Sequence, residues 1–206
     1  MISDAANLSF PRGTKIVIKL RPECREFCRE SEVEKIVQKF SQFISYPIRL
    51  NGQQLNTLQA IWYRSKNEVT EDEYERYYEL KADTKIPYKY KLHFSTDIPL
   101  SLKTLLYIPS HNNERMGMMN TEVEVDLYSR KILIKEKCKE LLPPYLRFVK
   151  GVVDCEDLPL NISRETYQDS SLIGRLRSII TRRVIKLIED EAKADPEKYK
   201  AWYEKF

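Results

Sequence analysis

Glycine is scarce, with 5 in 206 residues. That leaves little room for a glycine-rich phosphate loop. No P-loop, dinucleotide-binding fingerprint or HExxH motif is present. No apolar run approaches the ~20 residues that a membrane-spanning helix needs. The first residues, MISDAANLSFPRGTK, lack the apolar stretch and cleavage pattern of a signal peptide. Histidine is limited to His93 and His111, and cysteine to Cys24, Cys28, Cys138 and Cys155. Apart from one C-x3-C pair these lie far apart, which is not zinc-ligand spacing. Four reduced thiols of an intracellular protein are the expectation. Neither sign of charge dominates: 35 basic against 31 acidic residues leave a net charge of +4. An excess so small and so interspersed does not by itself imply a nucleic-acid partner.

What is present reads as a folded, highly charged globular chain, 42% hydrophobic and 32% charged. Its length suits one large domain or two small ones. Alternating β-branched and basic residues predict a strand over Thr14–Leu20. Val33, Ile36, Val37, Phe40 and Ile44 recur at helical spacing, predicting a helix over Glu32–Phe43 with Ser31 as a candidate cap. Pro47 should end it before a short strand, Ile48–Leu50, and an Asn51-Gly52 turn. A second helix is expected over Glu68–Leu80. Strands are expected over Tyr88–Phe94, Leu100–Ile108, Val123–Tyr128, Lys131–Lys135 and Tyr145–Val153, with a reversal at Thr96-Asp97 and a loop over Ser110–Asn120. From Ser171 the pattern turns strongly helical, and a last short helix follows Pro196. Strands mixed with helices, then a helical final quarter, give an α/β (α+β) layered domain with a helical carboxy-terminal part.

The catalytic inventory is thin. No Ser-His-Asp or Cys-His set stands out. Asp154, Glu156 and Asp157 could serve acid–base chemistry or a metal, although an acidic turn before a proline accounts for them more simply. Gly13-Thr14-Lys15 is a fragment of phosphate-loop chemistry at best. The most informative stretch is Gly151–Gln168, GVVDCEDLPLNISRETYQ. It delivers Ser163-Arg164 at a strand-to-helix junction, with Gln168 one helical turn on. A guanidinium there has the forked donors that match phosphate oxygens. A surface ion pair with Glu165 or Asp157 would also explain it.

The same stretch, GVVDCEDLPLNISRE, resembles the middle-domain signature of the heat-shock protein 90 chaperone family. RGTKIVIKL resembles the final strand of that family's ATP-binding domain. EVEKIVQKFSQFISYPI resembles the helix and strand that open the middle domain. PLSLKTLLYIP, LYSRKILI, LLPPYLRFVKGVVD and KYKAWYEKF also have counterparts in order. LNGQQLNTLQAIW and the direct passage from strand to middle domain are most similar to the mitochondrial, tumour-necrosis-factor-receptor-associated branch. SHNNERMGMMN departs from the family's aromatic-containing loop.

The resemblance implies a layered α-β-α middle domain. Residues 1–30 would be the last hairpin and strand of the ATP-binding domain, 31–170 the large middle subdomain, and 171–206 its helical continuation. It implies part of a homodimeric, ATP-hydrolysing chaperone of partly folded client proteins, located in the mitochondrion or alternatively the cytoplasm. ATP, with Mg, would be held by the protein's own amino-terminal domain, so no turnover is expected of this chain alone. Residue by residue, Arg164 carries over as the γ-phosphate contact, with Ser163 and Gln168 beside it. Gly13 and Thr14 match a strand near the adenine. Trp62 matches a client-contacting tryptophan, with a core tryptophan as the open alternative, and Met116, Met118 and Met119 could add an adaptable apolar patch. The rival reading is a basic α/β nucleic-acid-binding domain using Arg175, Arg182, Arg183 and Lys186. No nucleic-acid or membrane partner is implied by the family.

Overall fold

A computed structural model describes residues 13–56, 58–112, 123–159 and 170–205. Its centre is a five-stranded sheet in the order β3-β4-β7-β5-β6. The strands are β3 (Tyr88–Thr96), β4 (Leu102–Pro109), β5 (Glu124–Ser129), β6 (Ile132–Lys135) and β7 (Lys150–Cys155). All pairings are antiparallel except β5 with β7, which run parallel. A separate two-residue ladder joins β1 (Arg49–Leu50) to β2 (Gln53–Gln54). Asn51 and Gly52 close it, both at positive φ (48° and 90°), as a two-residue hairpin of this hand requires.

Both faces of the sheet are covered, so the central strands are apolar on both sides. One face packs against α3 (Ser170–Ala194) and α4 (Pro196–Tyr203). Leu102, Leu106, Val125, Leu127 and Val153 meet Ile173, Leu176, Ile180, Val184 and Trp202 there. Those four α3 positions recur every three or four residues, as one buried helical stripe must. The other face carries α2 (Glu71–Ala82) and a 3-10 turn, Ile61–Tyr63. Leu105, Tyr107, Tyr128 and Val152 meet Trp62, Tyr74 and Tyr78 on that side. A shift in register between Tyr88 and Tyr90 lets these two even-numbered residues serve opposite faces. The result is an α/β, three-layer α-β-α arrangement with its last helices continuing the chain.

Local signals explain most boundaries. Thr70 caps α2, its hydroxyl accepting from the Glu73 amide while the Glu73 carboxylate accepts from the Thr70 amide. Asp195 caps α4 and Pro196 fills its first turn. Gly151 sits at φ 138°, where a Cβ would fall on the Leu105 carbonyl oxygen and lie 3.0 Å from Leu106 Cα. The close approach of β4 to β7 therefore demands glycine.

Several expectations are corrected. Thr14–Leu20 forms no strand: no described strand pairs with it, and Ile16, Val17 and Ile18 are 79%, 79% and 75% exposed. Alternation supplies a strand's two faces but not its partner. The first helix, α1 (Glu30–Ser41), begins before Ser31, and its cap position, Arg29, makes no side-chain cap bond. A 3-10 helix over Pro22–Cys28 precedes it. Tyr145–Val153 is not one strand: Pro144–Leu146 makes a 3-10 turn and β7 starts only at Lys150. Two adjacent prolines hold the chain in turn geometry before the apolar run can pair. Trp62 is 1% exposed, so the core alternative holds and the client-surface reading does not.

Candidate functional site

The candidate site is the passage from β7 into α3. Ser163, Arg164 and Gln168 lie between residues 160 and 169, outside the described residues, as do Met116, Met118 and Met119. What the structure describes is how both ends of that passage are fixed. All six residues of β7 are buried. The Glu156 amide donates to the Ser101 carbonyl at 3.1 Å, and the Ser101 amide donates back to the Asp157 carboxylate at 2.7 Å. Lys103 pairs with Glu156 at 2.7 Å, and Leu158 is buried. On the far side α3 is held by Ile173 and Leu176, both in the core. The passage is thus tied down at entry and exit, and it enters α3 at the positive end of a 25-residue helix.

Asp154 is the strongest polar anchor in this region, with 0% exposure. One carboxylate oxygen accepts from Trp62 Nε1 at 3.2 Å and from the Lys131 amide at 2.9 Å, and the other accepts from the Arg130 amide at 2.9 Å. Arg130 and Lys131 both hold positive φ, 50° and 66°, in the turn between β5 and β6. Non-glycine residues in that region cost stability, and the two charge-assisted bonds offset it. Burial pushes the Asp154 carboxyl above its ordinary range, while the bonds from Trp62, Lys131 and Arg130 oppose that rise. Beside it the Tyr63 ring lies under two ammonium groups, Lys103 at 4.1 Å and Lys131 at 4.6 Å from its centre. Burial first, then the charges of Asp154 and Glu156, hold its phenol far above the usual value.

The acidic trio therefore has structural employment: Asp154 in the anchor, Glu156 on Lys103, Asp157 on the Ser101 amide. Among the described residues no group of three or more His, Cys, Asp or Glu side chains could hold a metal ion. The residues described do not fit a Mg site. His93 is buried, with Nδ1 2.6 Å from the Tyr74 hydroxyl, and burial lowers its basicity. Gly13 and Thr14 are exposed and outside any regular element. Of the basic residues behind the rival reading, Arg183 stacks over Phe94 at 5.3 Å. Arg182 and Lys186 share a groove with Glu189 and Asp190. That face is mixed rather than uniformly basic. No helix among the described residues is long and apolar enough to cross a membrane.

Asp154 as an anchor left only a faint trace in the sequence, an acidic residue ending an apolar run. Its partners lie 23, 24 and 92 positions away, so no local pattern could have assembled them.

The chain is similar to known proteins over its whole length. It is 44% identical over 205 residues to "TNF receptor-associated protein 1 homolog, mitochondrial" of Dictyostelium discoideum, covering 100% of this chain and 29% of that protein. It is 41% identical to "Chaperone protein HtpG" of Desulfitobacterium hafniense, covering 99% of this chain and 33% of that protein. It is 42% identical to "Heat shock protein 75 kDa, mitochondrial" of Rattus norvegicus, covering 94% and 28%. The chain thus spans about a third of the length of these relatives. The model of the family described as "Hsp90 protein" matches residues 50–206. By that match and these identities, the chain belongs to the Hsp90 protein family.

Proposed function

We propose that this chain is the middle segment of an ATP-driven, dimeric chaperone that acts on partly folded proteins. Residues 1–30 would be its junction with the ATP-binding domain, and 171–206 the helical continuation of the middle domain. ATP and its Mg would be held by the amino-terminal domain, and this segment would complete the site on docking. The observation that carries the reading is the Hsp90 family match across residues 50–206, which includes the NISRE sequence at 161–165. The fixed β7 and α3 flanks support it, because a transition-state contact needs a rigid base. Arg164 would meet the γ-phosphate as charge shifts during transfer, with Ser163 and Gln168 beside it. The mitochondrial names of two relatives favour that compartment. Any client contact would fall to Met116, Met118 and Met119, since Trp62 is buried.

The test uses an intact Hsp90-family dimer carrying this segment. Arg164→Ala should lower steady-state ATPase strongly and leave ATP affinity nearly unchanged, because the adenine and inner phosphates are held by the other domain. Loss of an arginine finger costs about a thousandfold in rate where chemistry limits turnover. Domain closure will mask part of that here. Arg164→Lys should rescue poorly, since an ammonium lacks the fork. A normal rate in folded Arg164→Ala would leave a surface ion pair as the residue's role.

A further inference from the structure

Two tyrosines on the α2 side of the sheet share one cleft and leave their hydroxyls unused. Tyr128 on β5 is 5% exposed, and Tyr77 on α2 is partly buried. A buried phenol usually finds a hydrogen-bond partner. Tyr74, Tyr88 and Tyr107 do so, on His93, Glu71 and the Tyr74 carbonyl. The Tyr77 and Tyr128 hydroxyls bond to no described residue, and both side chains line the cleft. Among the described residues the enclosed side-chain oxygens without a partner are those of Thr104 and Thr181, so the two phenol oxygens reach open space. The cleft lies between α1 and α2, over the β5–β6 edge of the sheet, and holds about 460 Å³. That is within the range of small-molecule sites. Phe43 and Leu133, both buried, give it an apolar wall. The Phe43 ring centre is 5.9 Å from that of Tyr128 and 6.4 Å from that of Tyr77. The charges lining the cleft are already matched. Lys39 pairs with Glu136 at 2.6 Å and Lys81 with Asp126, which also accepts from the Lys137 amide at 2.9 Å.

We propose that this cleft binds a small, flat, uncharged ligand of the aromatic carbonyl class, with its ring against Phe43 and Leu133 and its carbonyl oxygen accepting from the Tyr77 and Tyr128 hydroxyls. Burial is the first cause that raises both phenols, so both stay protonated and act as donors. After burial, Tyr128 is the largest electrostatic influence on Tyr77, so the two hydroxyls are neighbours. The matched charges decide against an ion. A charged ligand would have to break one of the two pairs or be buried without a partner, and both are costly. A wholly apolar ligand would leave both donors unpaired. A neutral acceptor on a flat ring meets the donors and the apolar wall together, and the three aromatic rings suit edge-to-face contact. The site is independent of the chaperone reading, since it uses none of the residues between β7 and α3.

The probe is coumarin, which is flat, uncharged and carries one carbonyl. Titrated against the full chain and followed by ligand-detected NMR, it should bind saturably at one site. Tyr128→Phe should weaken that binding about fivefold, the effect of one lost hydrogen bond, and the double variant with Tyr77→Phe should weaken it further. Coumarin-3-carboxylate, an anionic analogue, should bind less tightly than coumarin. The phenylalanine variants keep both rings, and the lost hydroxyls bond nothing in the fold. Their urea midpoints should therefore match or exceed that of the wild type, which separates a lost ligand contact from lost structure. Four outcomes overturn the proposal: coumarin does not saturate the chain at its solubility limit, the double variant binds it as tightly as the wild type, the carboxylate binds more tightly than coumarin, or the variants unfold at lower urea.

Discussion

Trp62 and Asp154 show how a single side chain changes meaning once its surroundings are known. Trp62 touches Phe43, Tyr77 and Tyr128, with ring centres 4.7, 5.7 and 5.3 Å away. Its indole N–H ends on Asp154. A buried indole needs such an acceptor, and a buried carboxylate needs such donors. Each residue therefore makes the other tolerable in the core. Asp154→Asn keeps the shape but turns one acceptor into a donor facing N–H groups. We expect a loss of about 2 kcal/mol or more, since each orphaned buried group costs about 1–3 kcal/mol. Urea unfolding measures it. An unchanged midpoint would mean that the three bonds to this carboxylate contribute nothing.

At the scale of elements, the sequence and the structure agree where a segment's pattern is self-sufficient. The stripe of α3 and the Asn51-Gly52 turn are both local, and both are found, whereas α2, expected from Glu68, starts at Glu71 behind its Thr70 cap. They disagree where an element depends on something distant. Thr14–Leu20 alternates like a strand but has no described partner. The stretch from Tyr145 to Val153 is apolar enough for one strand, yet the prolines delay pairing until Lys150. The candidate site was legible only through family resemblance, because an arginine after a serine carries no chemistry by pattern alone. The Asp154 anchor was not legible, because its partners come from two other elements. Gly151 is a similar case: nothing local demands it, but β4 passes where its side chain would be. Gly151→Ala should force β4 and β7 apart and cost about 3 kcal/mol, combining a backbone penalty with a steric one. A stability within about 0.5 kcal/mol of the wild type, the range of an ordinary surface change, would show that the strands have slack.

For the whole molecule, the question is whether two cores separated by a sheet behave as one. Trp62 belongs to the core on the α2 side and Trp202 to the core on the α3 side. These are the chain's only tryptophans, so each reports a different face. The faces share their strands. Leu105 and Tyr107 point to one core while Leu102, Leu106 and Ile108 point to the other, all from β4. The same holds for Val152 and Val153 on β7. Removing either helical layer would expose one side of strands that the other layer still needs, and a sheet buried on both faces does not tolerate that. We therefore expect a single cooperative transition. In Trp62→Phe, fluorescence of Trp202 should lose its native signal at the same urea concentration as the far-ultraviolet circular dichroism. In Trp202→Phe, fluorescence of Trp62 should do likewise. The two variants will have different midpoints, because Trp62→Phe also removes a donor from Asp154 and Trp202→Phe removes one from the Pro109 carbonyl. Within each variant, however, the two probes should coincide. If Trp202 fluorescence changed well before the circular dichroism, α3 and α4 would be a separately folding layer, and the shared strands would not couple the two faces.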